Sequence, residues 1–439
     1  MSGAGRAARL VADAFPARGG EMTVGGVAVS ELASAHGTPL YVYDAALLRG
    51  RLALLRAHLP PRIDVYFSIK ANPNPSIARL FVEGGAGLEI ASGAEYLRAR
   101  AAGAPPERIL FAGPGKSPEE LSLVVRRGIG EIHVESEQEI DHLARLAGWL
   151  GRRIDVAVRV NPSAAASGGA MRMGGQPAPF GFDEERLDEV IALVRGRRGL
   201  RFSGIHMFAG TQILDAEVLV GQWRHAFEVG VRAAAISGEP LSTLDLGGGL
   251  GIPYFANESE LDLAAMRRGA DALLDELGSH EALATARVVV EPGRFLAGPG
   301  GVYLARARAV KRSRDKAFVV LDGGMHHHLA ASGNLGQVIK RDYPVVNASR
   351  AGEEATMEAT LVGPLCTPLD TLARQAMLAE VSEGDLVAIL QSGAYGLTAS
   401  PVGFLSQPMA AEVLAEGGRH AGIRARGTFE QPLTGLPPQ

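Results

Sequence analysis

The pattern that most limits the fold of this chain is an alternation of strand-like and helical segments between residues 63 and 290. Strands separated by crossover helices pair in parallel. The eight predicted strands are Ile63–Ile69, Gly87–Ile90, Arg108–Phe111, Glu131–Val134, Ile154–Val160, Phe202–His206, Thr243–Leu246 and Val288–Val290. The seven predicted helices are Ser76–Glu83, Gly93–Ala102, Pro118–Arg127, Glu137–Leu150, Glu184–Arg195, Ala216–Ile236 and Leu261–Leu277.

Eight parallel strands close a (β/α)8 barrel, and the span of about 230 residues is near the usual size of that fold. We therefore predict an α/β chain with a TIM-like barrel over residues 40–300. An open, doubly wound sheet is the alternative, but no G-x-G-x-x-G follows the first strand, which disfavours its dinucleotide-binding form. Strand patterns without comparable helices follow Gly300, so residues 301–439 are predicted to form a mostly β domain. Residues 1–39 are predicted to join that domain, although the first 25 look flexible.

Composition narrows the class of protein. The chain has 439 residues, of which 46% are apolar and 21% charged, as in ordinary globular proteins. A net charge of −4 gives no general attraction to nucleic acid or anionic membranes. No apolar run approaches the length of a membrane span, and the N-terminus lacks a signal-peptide pattern. The single cysteine, Cys366, allows no internal disulfide and fits a reducing, cytoplasmic setting.

Chemistry in a barrel of this kind lies at the carboxyl ends of its strands. The polar residues predicted there are Lys70, Glu89, Arg159, Asn161, His206, Gly247–Gly251, Glu291 and Arg294. Each alone has an ordinary structural explanation, such as a surface lysine, a core histidine, a tight turn or a structural ion pair. Together they fit one ligand, an aromatic aldehyde that bears a phosphate.

That ligand is pyridoxal phosphate, an electron sink for carbanions next to an amine. Lys70 would bind the aldehyde, because a lysine held in an enclosed site loses its proton more easily. The glycine run after the seventh strand would cradle the phosphate with its backbone N–H groups. Glu291 would keep a ring nitrogen protonated, and His206 would stack on the ring.

At this point the chain resembles the fold-type III pyridoxal phosphate enzymes, specifically the diaminopimelate/ornithine/arginine decarboxylase family. The resemblance spans roughly residues 35–410. It rests on the ordered motifs YVYD at 41–44, FSIKAN at 67–72, EIASGAE at 89–95, RVNP at 159–162, His206, GGGLG at 247–251, EPGR at 291–294, GPLCTPLD at 363–370 and GAYG at 393–396.

The resemblance implies roles for these residues. Lys70 is the expected Schiff-base lysine, Glu291 the partner of the pyridine nitrogen, and His206 the residue stacked on the ring. Further cofactor-binding residues would be Gly247, Gly248, Gly249, Gly293, Arg294 and Tyr395. Cys366 would protonate the carbanion after carbon dioxide leaves, rather than serve as a small buried apolar residue. In the family this cysteine reaches the other subunit's site, so a homodimer with shared active sites is implied.

Departures from the family pattern bear on the substrate. Ala209 stands where the family has a serine that binds phosphate, so Thr211 is expected to take over. Thr367 replaces the acidic residue that diamino-acid decarboxylases carry after the cysteine. The segment Asp322–Asn334 replaces an R-P-x-L-Y stretch, and it resembles a subgroup from natural-product and exopolysaccharide clusters. That subgroup includes an enzyme of butirosin biosynthesis that acts on glutamate tethered to an acyl carrier protein.

We therefore predict decarboxylation of a glutamyl- or aspartyl-type group, including methylaspartyl, on an acyl carrier protein. The predicted substrate-binding residues are Arg159, Asp322, His326, Thr367 and Asp370. The Gly-rich loop Ser163–Pro179 is a candidate lid, and Arg172 or Lys340-Arg341 could meet an acidic carrier. No metal is predicted, because His326–His328 lack a carboxylate or cysteine at a matching spacing.

Other functions stay open from the sequence. A decarboxylase of free diaminopimelate or a basic amino acid is the close alternative. An amino-acid racemase on the same barrel would need a tyrosine acid in place of Cys366. A cofactor-holding regulator without activity would lose Lys70 or Glu291, and both are present.

Overall fold

The computed structural model describes residues 3–163, 171–172, 177–208, 210–337 and 340–430. They form two compact units. One unit comprises Arg51–Ile252 and Glu260–Phe295, and the other comprises Met1–Gly50, Pro253–Ser259 and Leu296–Gln439.

The first unit contains the predicted barrel. Its eight parallel strands are Ile63–Ser68, Gly87–Ile90, Ile109–Phe111, Glu131–Val134, Ile154–Asn161, Leu200–Met207, Thr243–Asp245 and Arg287–Val290. Each strand pairs with the next along the chain, and the last pairs with the first through Val288 and Ile63. The sheet therefore closes on itself, which confirms the predicted fold class.

Seven helices follow the strands, as predicted. They are Pro75–Glu83, Gly93–Ala101, Pro118–Arg127, Glu137–Leu150, Leu187–Arg195, Ala216–Ser237 and Leu263–Ser279. The third begins at a capping box in which Ser117 and Glu120 satisfy each other's backbone N–H groups, with Pro118 at the first helical position. Local sequence thus fixes where this helix starts.

One glycine shows how closely two barrel strands approach each other. Gly204 lies at a register shift between the fifth and sixth strands. A Cβ atom there would lie 1.7 Å from the carbonyl oxygen of Thr243 on the seventh strand. Only glycine fits, and the shift places the next residues, including His206, at the end of the strand.

The second unit is the predicted β domain, built on a nine-stranded sheet. Its strands are Leu40–Asp44, Gly301–Ser313, Lys316–Leu321, Val345–Asn347, Met357–Val362, Thr371–Leu378, Leu386–Ile389, Ala411–Glu416 and Arg419–Arg424. Leu40–Asp44 pairs with strands on both sides, so the predicted start of the barrel at residue 40 came too early.

The predicted flexibility of the N-terminal segment is wrong for the described residues 3–25. Gly3–Ala14 is a helix, and Ala17–Arg18, Glu21–Val24 and Val27–Ala28 form a small sheet before the helix Val29–His36. Buried apolar residues, among them Phe15 and Met22, tie this region into the core of the β unit. Burial of that apolar surface explains the order, which composition alone did not indicate.

Several predictions concern positions outside the described residues. Ala209 and most of the Ser163–Pro179 loop belong to this group, as does the side chain of Arg172. Among the helices of the described ranges, none combines the length and the apolar character that a bilayer crossing requires.

Candidate active site

Lys70 lies on a single 3-10 turn, Ile69–Ala71, that directly follows the first barrel strand. Its amine is 3.2 Å from both carboxylate oxygens of Glu89, at the end of the second strand. Glu89 is buried and also accepts a hydrogen bond from Ser68. The Lys70 side chain is 44% exposed, so the amine is oriented by a carboxylate and still accessible to a ligand.

Four buried side chains meet inside the barrel unit. One nitrogen or oxygen atom from each of His133, His206, Asp245 and Glu291 lies within 4.8 Å of the others. His206 Nε2 is 3.4 Å from Glu291 Oε2, and the rings of His133 and His206 are 4.6 Å apart. The structure thus brings together two predicted residues, His206 and Glu291, with two that the sequence analysis missed.

Burial decides which of these groups are charged. It lowers the pKa of His206 to about 4, so this ring is neutral near pH 7. Burial and the charge of Glu291 both raise the pKa of Asp245, which favours its protonated form. Burial also opposes ionisation of Glu291, but His206, His133 and Lys70 outweigh it and lower the pKa of this carboxyl.

The cluster is built to receive a hydrogen-bond donor. Within the described part of the chain, Glu291 Oε1 has no hydrogen-bond partner. Leaving a buried acceptor unpaired costs about 1–3 kcal/mol, and more when it is charged. A protonated ring nitrogen would satisfy this oxygen, and the neutral imidazole of His206 offers a flat face beside it. The pyridoxal ring therefore fits these residues.

These four groups also have the composition of a metal site. The unpaired Glu291 Oε1 and the flat ring of His206 suit an aromatic ring with a protonated nitrogen. We therefore assign the cluster to an organic ring.

The glycine run follows the seventh strand, as predicted. Gly247 has a φ of +69°, and a Cβ atom there would lie 2.3 Å from the carbonyl oxygen of Met207. Close packing of the backbone thus requires glycine, independently of any ligand. Among the described residues none accepts a hydrogen bond from the amides of Gly248 or Gly249, so both can serve a phosphate.

The segment after the last strand packs on the turn that carries Lys70. Ser68 N donates to the carbonyl oxygen of Pro292, and a Cβ atom at Gly293 would lie 3.0 Å from that of Ala71. This packing holds Glu291 and Lys70 in fixed relation within the barrel unit. Arg294 begins the short helix Arg294–Ala297 that follows.

Arg159, predicted to bind substrate, is held by the protein. Its guanidinium donates to Glu135 at 2.7 Å and lies over the ring of Phe180. The same Glu135 accepts from the backbone of Gly113 and Gly181, which joins three loops at the strand ends. Substrate binding by Arg159 stays a prediction, and this pairing indicates a positioning role as well.

In the β unit, Cys366 stands exposed on a tight turn. Asp370 fixes this turn, because its carboxylate accepts from the backbone N–H groups of Met325 at 2.6 Å and Leu365 at 2.8 Å. Thr367, next to the cysteine, is half-buried. The thiol is therefore presented to solvent in this chain, and the alternative of a buried apolar cysteine is wrong.

Asp322 also has a structural role. One of its carboxylate oxygens accepts from Thr38 Oγ1 at 2.6 Å, and the other accepts from the backbone of Arg306 at 2.8 Å. Substrate binding by Asp322 and Asp370 stays a prediction, but hydrogen bonds to all four of their oxygens weigh against it.

The three consecutive histidines differ in their surroundings. His327 contacts the carbonyl oxygen of Pro408 at 2.9 Å, and His328 contacts Ser392 Oγ at 2.9 Å. His326 is fully buried, and neither of its ring nitrogens has a partner within the described residues. Burial lowers its pKa to about 4, so the ring is neutral. Substrate binding by His326 stays a prediction, and its two unpaired ring nitrogens favour it over its two neighbours.

Tyr395 and Thr211 are the two other residues predicted to contact the phosphate. Tyr395 is half-buried, with a φ of +54°, which is strained for a residue with a side chain. Such strain is concentrated at functional sites. Thr211 lies in the short strand Gly210–Thr211, and its hydroxyl makes no hydrogen bond to a described residue.

Comparison with known proteins gives the family. Residues 46–298 match the profile of the pyridoxal-binding domain of pyridoxal-dependent decarboxylases. The chain is 37% identical to an L-glutamyl-[BtrI acyl-carrier protein] decarboxylase of Niallia circulans, over 90% of this chain and 92% of that one. It is 35% identical to a diaminopimelate decarboxylase of Aquifex aeolicus, with coverage of 94% and 95%.

Comparison with solved structures also finds diaminopimelate decarboxylases. The structure superposes on a crystal structure of diaminopimelate decarboxylase from M. jannaschii, determined with L-lysine, with a TM-score of 0.89. The two sequences are 23% identical, and the match covers 100% of this chain and 99% of the other. The matched profile and both sequence relatives place the chain in one family: it is a fold-type III decarboxylase that uses pyridoxal 5'-phosphate as its cofactor.

Proposed function

We propose that this decarboxylase acts on a glutamyl- or aspartyl-type group, including methylaspartyl, joined through its side-chain carboxyl to an acyl carrier protein. The main support is that the described residues of the segments 322–337 and 363–370 offer no available carboxylate. Their only carboxylates, Asp322 and Asp370, are occupied by hydrogen bonds, and the position after Cys366 is the neutral Thr367. A diamino acid would bring a second cation, and burying it without an anionic partner is costly.

His326 supports the same substrate class. A neutral imidazole donates one hydrogen bond and accepts another, which suits the amide or thioester groups of a carrier arm. An ammonium group can only donate, so it would satisfy only the acceptor nitrogen. The unpaired nitrogens of His326 therefore favour an uncharged acyl chain over a distal amine.

Similarity adds weight to this choice. The Niallia circulans relative is named for a glutamyl group on an acyl carrier protein. The second candidate substrate is free diaminopimelate, which is favoured by the 35% identity with the Aquifex aeolicus enzyme. The absence of an available carboxylate in the two segments is our reason to rank it second.

We propose the following roles in the barrel unit. Pyridoxal phosphate supplies an electron sink for the bond to the departing carboxylate. Lys70 would bind the aldehyde carbon, and Glu89 would orient the lysine amine. Glu291 Oε1 would accept a hydrogen bond from the protonated ring nitrogen and so keep that nitrogen positive. His206 would stack on the ring, and the amides of Gly248 and Gly249 would bind the phosphate together with Arg294.

Asp245 is proposed to position Glu291 and the glycine loop without touching the cofactor. Its raised pKa favours a protonated carboxyl that would donate to Glu291, while its Oδ1 accepts from Gly247 N at 2.9 Å. Asp245 thus connects Glu291, the proposed partner of the ring nitrogen, with the glycine loop at Gly247, the proposed phosphate site. His133 completes the support, since it packs against His206 and contacts Glu131 at 3.1 Å.

The remaining step is return of a proton to the substrate carbon. We propose that Cys366 of the partner subunit donates it from Sγ, in a homodimer with shared active sites, as in the family. The exposed turn that carries Cys366 is consistent with this role, because it leaves the thiol accessible in the single chain. An unpaired exposed thiol also fits a reducing, cytoplasmic location.

The role of Asp245 predicts a difference between two substitutions. Asp245→Asn keeps a donor for Glu291 and an acceptor for Gly247, so pyridoxal phosphate affinity should stay within about threefold of wild type. Asp245→Leu removes both and should weaken the affinity roughly 10- to 100-fold. Equilibrium titration of the apoenzyme, followed by absorbance, measures the two constants. Equal losses in both variants would contradict the positioning role.

The proposed substrate predicts a mass change on the carrier. Intact-protein mass spectrometry should record loss of one carbon dioxide from an acyl carrier protein loaded with glutamate or aspartate through the side-chain carboxyl. Free glutamate, aspartate, diaminopimelate and lysine should remain unchanged under the same conditions.

Two variants sharpen this experiment. Thr367→Glu would place a charge beside the neutral chain and should slow turnover of the loaded carrier about tenfold or more, whereas Thr367→Val should retain it. Efficient turnover of free diaminopimelate or ornithine by the wild-type enzyme would overturn the proposed substrate.

Shared active sites predict recovery of activity on mixing. Lys70→Ala and Cys366→Ala proteins should each be inactive, whereas Cys366→Ala should still bind pyridoxal phosphate. After subunit exchange about half of the dimers are mixed, and each has one complete site, so about a quarter of wild-type activity should return. Native mass spectrometry confirms the exchange. Mixed dimers without activity would exclude sharing.

A further inference from the structure

A hairpin of the β unit carries an uncompensated positive charge. It consists of the end of the strand Gly301–Ser313, a two-residue turn and the start of Lys316–Leu321. Nine positions, 308–316, contain one acidic residue, Asp315, and five cationic ones. The cations are Arg308, Lys311, Arg312, Arg314 and Lys316, all exposed. We call these five residues the cationic hairpin.

The charges of the cationic hairpin are not neutralised within the chain. None of the five has an ion pair or a side-chain hydrogen bond to any part of the chain that the structure describes. Some exposed arginines elsewhere are paired, as Arg186 is with Glu137 and Glu189. The hairpin thus holds a net charge of +4 in a chain whose total is −4.

On each face of the hairpin, cationic side chains lie beside an apolar one. Lys311 lies directly opposite Phe318, and Ser313 opposite Lys316, so Lys311 and Lys316 border the half-buried ring on one face of the ladder. Val310 on the other face is 37% exposed. Charged side chains beside a few exposed apolar ones are typical of surfaces that bind proteins transiently.

We propose that the cationic hairpin is the docking surface for the acyl carrier protein, an inference that rests on the proposed function. Acyl carrier proteins are typically acidic, so their charge complements the hairpin, and long-range attraction would raise the rate of encounter. The basic pair Lys340-Arg341, predicted from the sequence to meet the carrier, is engaged elsewhere. Arg341 is bound by Glu258 and lies over Phe255, and Lys340 donates to Asn334.

Protection of an open edge is the competing explanation of the charges. Beyond Arg306 the strand Gly301–Ser313 pairs only with Lys316–Leu321 among the described strands, which leaves its other edge open. Charged residues on such open edges prevent aggregation. Edge protection predicts effects on solubility alone. Carrier docking predicts a change in kinetics that depends on the carrier and on salt.

The test compares two substrates that bear the same aminoacyl group, one on the carrier protein and one on a pantetheine thioester without the protein. The charge-reversed variant is Arg312→Glu/Lys316→Glu. The matched control is Arg153→Glu/Arg198→Glu, which reverses two exposed arginines of the barrel unit. Activity on the thioester verifies that each variant is folded and holds its cofactor.

The hairpin variant should lose about tenfold or more in kcat/KM on the carrier-bound substrate at low salt and stay within about twofold on the thioester. The wild-type rate on the carrier should fall with added salt, and the control variant should behave as wild type. Unchanged kinetics in an active hairpin variant, equal losses on both substrates, or tighter binding of duplex DNA than of the carrier would overturn the docking surface alone. Failure of the wild-type enzyme to act on any loaded carrier would overturn the proposed function together with it.

Discussion

A negative charge on Glu291 is the constraint on which the barrel site depends. Burying an isolated carboxylate is costly, so its ionised form exists only because neighbouring groups compensate. His206 lies 3.4 Å away, and the carboxyl of Asp245, whose pKa is raised by burial, lies beside it. Burial lowers the pKa of His206 and raises that of Asp245, so both groups favour their neutral forms beside Glu291. This arrangement leaves one oxygen of Glu291 to bind a cationic ring nitrogen.

The β unit presents an exposed thiol, Cys366, on a tight turn. Asp370 uses both oxygens to tie the turn of Cys366 to the segment around Met325, and that segment continues into the buried, unpaired His326. The carboxylates of this region therefore build the loops and leave no charge for a second amine. A neutral aminoacyl chain on a carrier is the substrate that this distribution of charge favours, and Thr367 beside the cysteine agrees with it.

Much of this could be predicted from the sequence, because the strong signals are local. Alternating strands and helices predicted the closed barrel, and residues after strand ends predicted Lys70, His206 and Glu291. Asp245 and His133 were missed because they lie within apolar strands, where a polar residue's partners depend on which strands adjoin in the closed barrel. The N-terminal helix was missed because its order comes from packing against distant strands. The separate surroundings of His326 and its two neighbours likewise arise from tertiary contacts.

The central claim is that Lys70 holds pyridoxal phosphate at the end of the first barrel strand. Reduction of the holoenzyme with borohydride, followed by peptide mapping, measures this directly. Lys116 is the natural competitor, because burial lowers the pKa of its amine, but Glu139 and the carbonyl oxygen of Gly113 bind that amine. We expect a single pyridoxyl group, on Lys70. A label on Lys116 or on any other lysine would contradict the claim.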